Sequence, residues 1–193
     1  MVELSQLWLP VLLSAVAVFF LSFCMWMLLP HHKGDWGPLP DEDGLMNLLR
    51  AQGVGGGQFS FPHCSDPKEM KDPAYVEKYS KGPKGFLVLR PDGPPNMGAS
   101  MATSFGFNLI TALLVAFVAR QTIPVGDPMG MVFRVTLTVA FLANSFGLVW
   151  GPIWFGRTWG STLREMGDGL VYSLATAGIF AALWPGLDSI LPS

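Results

Sequence analysis

Long apolar runs alternate with polar stretches along this chain. The apolar runs are Leu7–Leu29, Ala99–Ala119, Gly130–Gly156 and Gly169–Leu187. A helix needs about 20 mostly apolar residues to cross about 30 Å of hydrocarbon. Each run therefore predicts a membrane span. Together they predict an all-α transmembrane protein, a four-helix membrane bundle. The expected division is a first transmembrane helix over 1–30, an extramembrane domain over 31–98, and three further transmembrane helices over 99–193.

The polar stretch 31–98 is too long for a passive connector and carries folding signals of its own. Pro40-Asp41-Glu42-Asp43 starts a helix, with Pro in the first turn and acids favoured by the helix dipole. Leu45, Leu48 and Leu49 give one apolar helical face, and Gly53 is placed to stop it. Gln58–Phe61 and Phe86–Arg90 read as short strands, with a helical turn at Ala74–Ser80 between them. Pro91-Asp-Gly-Pro-Pro95 is a turn cluster. The expectation is a small α+β domain, too small to build a strong core alone.

Within the spans, small residues recur at helical spacing. Ser173, Ala177 and Ala181 follow an i, i+4 line in the fourth, beside Gly178 and Ala182. Asn108, Ala112 and Ala116 do the same in the second. Small side chains let helix backbones approach closely, which replaces the hydrophobic drive that lipid removes. The helix-packing set is thus Asn108, Asn144, Ser173, Ala177, Gly178 and Ala181. Asn108 and Asn144 fall at matching depths near the midplane, where the expected role is a hydrogen bond across the helix pair. The rival role is a polar gate.

Composition agrees with the spans. Hydrophobic residues make up 50% and charged ones only 13%, against roughly 25% charged in soluble domains. Trp8, Trp26, Trp150, Trp154, Tyr172 and Trp184 lie towards span ends, where an apolar ring can keep a wetted polar edge. The first segment lacks the basic start of a cleaved signal, so it reads as a retained helix. Loop 31–98 holds Lys33, Arg50, Lys68, Lys71, Lys78, Lys81, Lys84 and Arg90, and the 157–168 loop adds Arg157 and Arg164. Only Arg120 and Arg134 fall to the other side. The positive-inside rule then puts loop 31–98 in the cytoplasm with both termini outside, leaving Cys64 a free thiol.

The search for reactive motifs is mostly negative. His31-His32 and His63-Cys64 lie about 30 residues apart and lack zinc-type spacing, so no metal site is expected. Gly53-Val-Gly-Gly-Gly57 has no Gly-Lys-Ser/Thr and follows a helix, so it is not a phosphate loop. No histidine or carboxylate falls near a span centre, where ion-coupled carriers keep theirs. A net charge of −2 gives no argument for nucleic acid, which is not expected as a partner.

Several stretches carry a resemblance. They are Pro30-His-His-Lys-Gly-Asp-Trp36, Leu39-Pro-Asp-Glu-Asp43, Lys81-Gly-Pro-Lys-Gly-Phe86, Gly93-Pro-Pro-Asn-Met-Gly98, Val139-Ala-Phe-Leu-Ala-Asn144 and Asp168-Gly-Leu-Val-Tyr172. Over nearly its whole length the chain resembles a family of small four-helix bacterial inner-membrane proteins with no assigned function. The resemblance implies a bacterial source and a multi-pass inner-membrane protein with a first-loop domain. It implies no activity, cofactor or catalytic residue.

The resulting expectation is a non-catalytic accessory or structural subunit of a larger bacterial membrane complex, with respiratory and photosynthetic assemblies as the classes in view. Its partners would be other integral membrane proteins and lipids. A small-solute transporter or channel acting as an oligomer is the alternative, with Asn108 and Asn144 lining the path. An enzyme acting on lipid comes third, with His31, His32, Asp35 and Asp41 as its groups.

Overall fold

A computed structural model describes residues Val2–Gly186. Leu187, the last residue of the fourth expected span, lies outside them. The chain divides into two compact units.

The first unit comprises residues up to Asp35, Asn96–Trp150 and the chain from Thr158 onward. Its helices are α1 (Trp8–Phe23), α4 (Met97–Thr122), α5 (Met129–Ser145) and α7 (Trp159–Ala182). Among the described residues, three stretches are long and apolar enough to cross a membrane: Leu4–Leu28, Met97–Thr122 and Met129–Trp154. The last of these bends through a 3-10 turn at Phe146–Val149 into α6 (Trp150–Trp154). The fourth expected span corresponds to α7, which begins ten residues before Gly169. Thr158 caps it, its hydroxyl accepting from the Ser161 N–H at 3.3 Å. Arg164, Glu165 and Asp168 occupy its first three turns. The apolar part of α7 is correspondingly short, and a four-span count is not established by length and hydropathy.

Small residues set the packing. α7 runs along α5 and touches α1, and α1 also packs on α4. The core contains Val11, Ala112, Val115, Ala116, Ala119, Val132, Ala140 and Phe180. Phe20, Leu114, Phe117, Leu142 and Leu163 point outward and are exposed, an apolar exterior of the kind lipid covers.

The second unit comprises Trp36–Pro95 with Gly151–Arg157. In it, α2 (Glu42–Ala51) is capped by Asp41, whose carboxylate accepts from the Gly44 N–H at 2.9 Å. Asp72 caps α3 (Pro73–Lys81) through the Ala74 N–H at 2.9 Å. Strands β1 (Gly57–Phe61) and β2 (Gly85–Leu89) pair antiparallel, with Gly57 opposite Leu89 and Phe61 opposite Gly85. Phe86 meets Phe155 edge to face at 5.6 Å. None of Trp36–Pro95 is fully buried. A two-stranded sheet with two short helices has too little apolar area to do better.

Candidate functional site

The end of α1 departs from regular helix. Cys24–Leu28 form a π turn, closed by the Leu29 N–H on the Cys24 carbonyl at 3.1 Å. Such turns recur at functional sites because they re-aim side chains. Pro30–His32 follow as a single 3-10 turn. Consecutive residues of a regular helix point about 100° apart. Here the rings of His31 and His32 sit together, with centroids 4.2 Å apart. Trp26, in the π turn, stacks flat on His32 at 4.0 Å and 6°.

The first turns of α7 meet this group. Arg164 and Asp168 are four residues apart and so share one helix face. The two carboxylate oxygens of Asp168 take one histidine each: Oδ1 lies 2.9 Å from His31 Nε2 and Oδ2 lies 2.8 Å from His32 Nε2. On the other edge of the His32 ring, Nδ1 is 2.6 Å from Asp35 Oδ2. Asp35 Oδ1 accepts from Arg164 through Nε at 2.9 Å and through a terminal guanidinium nitrogen. The result is one connected row, Arg164–Asp35–His32–Asp168–His31. The side chains of His32, Asp35 and Asp168 are 5%, 2% and 8% exposed, while His31 at 30% and Arg164 at 38% reach the surface. The hydroxyl of Tyr172, one turn beyond Asp168, is buried without a partner.

The charges follow from that geometry. Burial opposes a charge on His32, but hydrogen bonds to Asp168 and Asp35 and the two carboxylate charges outweigh it. Its pKa lies above the usual 6.5. Hydrogen bonding from Arg164, then from His32, holds the Asp35 carboxyl below its usual 3.8. Chemically, the row brings two imidazole nitrogens together on one carboxylate. His31, His32 and Asp168 present donor atoms that all lie within 4.8 Å of one another.

The packing residues expected from the sequence are partly brought together. Asn144 donates from Nδ2 to the Ala140 carbonyl at 2.9 Å and to the Ser173 hydroxyl at 3.5 Å. That second bond joins α5 to α7. The expected Asn108–Asn144 bond is not formed; the two amides line a small cavity with Ser14, Val18, Thr111, Ala112 and Thr176. Ala177 and Ala181 are buried. Gly178 is not a close-approach position, since a Cβ there would meet nothing within 4 Å. That role falls to Gly169, where a Cβ would collide with the Ser145 hydroxyl and lie 2.9 Å from the Asn144 carbonyl oxygen.

Of the groups considered for lipid chemistry, His31, His32 and Asp35 meet, while Asp41 caps α2. Arg164 and Asp168 were missed as site residues. Their one sequence signal is a pair of opposite charges at i, i+4 just ahead of an apolar run, which reads equally well as a surface pair. Comparison of the chain with protein-family models, curated proteins and solved structures finds no match.

Proposed function

We propose that this chain is a four-span protein of the bacterial inner membrane, with α7 as the fourth span. In this reading it is a subunit of a larger membrane complex and contributes the polar centre built on His32. The observation that carries this is the position of His32, buried between Asp35 and Asp168 in a unit otherwise made of apolar helices. Ionisable groups packed at such a place are expensive to bury and usually mark function. Small residues on α4, such as Ala99, Ala102 and Gly106, leave a face on which another membrane helix can pack. The centre is held for the assembly; the chain does not turn over a substrate on its own. The basic residues of 31–98 and of Arg157 and Arg164 support a cytoplasmic position for that side.

Purification from native membranes in mild detergent tests the subunit reading. Stoichiometric partners are expected, and a monodisperse monomer at native abundance overturns it. Complementation of a deletion strain tests the centre. His32→Ala, present at normal abundance, should fail to restore the phenotype; full restoration makes the row a mere staple. Orientation is read with an impermeant thiol reagent on cells whose outer membrane is opened and whose Cys24 is replaced. Cys64 should stay unlabelled until the inner membrane is breached.

A further inference from the structure

We propose, resting on the reading above, that His31 Nε2, His32 Nε2 and the Asp168 carboxylate bind one divalent transition-metal ion of the zinc class. The donor set is the first argument. Two imidazoles with one carboxylate suit zinc, iron or nickel, whereas magnesium and calcium prefer all-oxygen sites. The spacing is the second. Bonds of about 2.1 Å place neighbouring donors about 3.0 Å apart in octahedral and about 3.4 Å apart in tetrahedral geometry. The Asp168 oxygens already stand 2.8 and 2.9 Å from the two Nε2 atoms. The two contacts use different carboxylate oxygens, and the three donor atoms lie within 4.8 Å of one another, so side-chain shifts that draw them together make room for an ion, which takes the place of the protons shared along those contacts.

The support around the ligands is the third argument. A metal-bound histidine usually donates its other ring N–H to a carboxylate, which fixes the tautomer and the ring plane. His32 does this through Nδ1 to Asp35 at 2.6 Å. Asp35 is in turn fixed by Arg164, and Trp26 lies flat against the ring. The π turn and the 3-10 turn give two adjacent histidines a common target. Three protein donors, with His31 reaching the surface, leave room for a further ligand such as water. That open position distinguishes working zinc sites from purely structural ones.

The test uses the full chain in detergent, stripped with a chelator and then given Zn²⁺ or Co²⁺ alone. The wild type should retain one ion per chain after gel filtration, and its Co²⁺ form should show the visible bands of a low-coordinate N/O site. His31→Ala and Asp168→Asn should bind at least about 100-fold more weakly. Asp35→Asn, at a residue that touches His32 but neither of the other two ligands, should lose about 10- to 100-fold. His63→Ala, which is not part of the row, should bind like the wild type. Wild-type protein that retains no ion and gives no Co²⁺ bands overturns the proposal, and neither readout depends on a variant folding. Binding that survives His31→Ala and Asp168→Asn but falls with His63→Ala overturns it too. The complementation assay separates the two readings. Absence of metal with failure of His32→Ala to complement removes the ion and leaves the centre. Metal bound at these residues with full complementation by His32→Ala keeps the ion and removes the centre's functional role.

Discussion

The helix unit contains two polar regions, and they are built in opposite ways. In the middle of the bundle the polar groups are neutral and mostly satisfy themselves locally. Thr136 donates to the Val132 carbonyl, Ser173 to Gly169, Thr176 to Tyr172 and Asn144 to Ala140, each one turn back on its own helix. At the end of the bundle the groups are ionisable, and most of their partners are remote. His31 and His32 reach Asp168 across 137 and 136 positions, and Asp35 reaches Arg164 across 129. A hydroxyl in an apolar helix can use the backbone carbonyl four residues away. A carboxylate has no such outlet, because it can only accept, so burial forces it onto a donor from elsewhere. The middle of the bundle is therefore tolerant of change, and the ionisable end acts as a unit.

The largest predicted effect breaks the ionisable end. Asp168→Ala leaves two imidazole edges without an acceptor and should destabilise the protein by about 3 kcal/mol, read as a lower midpoint in a detergent denaturation series. A shift below about 1 kcal/mol would mean the row is not coupled. Next comes Gly169→Val, between the two regions. Its side chain would enter the space of Ser145 and Asn144, so a loss of about 2–3 kcal/mol is expected from overpacking. Gly178→Val, with open space around it, should change stability little in the same series. Asn144→Leu tests the middle of the bundle. It removes the bond to Ser173 and should lose only about 0.6 kcal/mol. A loss as large as that of Asp168→Ala would erase the contrast between the regions. The smallest effect belongs to Ser14→Ala. Its hydroxyl is buried without a partner, so the change should be within about 0.5 kcal/mol of neutral or slightly stabilising.

The smaller unit was legible almost element by element. A helix starts at Asp41 and another covers Ala74–Ser80, as expected, and Phe59 and Leu87 lie opposite one another on paired strands. These are short-range effects, written within a few residues. The packing stripe was partly legible: Ser173, Ala177 and Ala181 are buried. The close approach, however, is at Gly169 and not Gly178. Spacing tells which residues share a helix face, but not which point along it meets the neighbouring backbone.

The sequence by itself determined that the chain is built around long apolar helices with a small α+β insertion, because hydropathy and capping act locally. It also supplied every residue of the polar row. Only the tertiary structure decided that they form one site. His31 and His32 look like a polar helix exit, and Asp168 looks like a charge at the mouth of a span, until α1 and α7 are packed side by side. Hydrogen bonds between residues more than a hundred positions apart leave no periodicity in a single chain, so no pattern of spacing could have announced them.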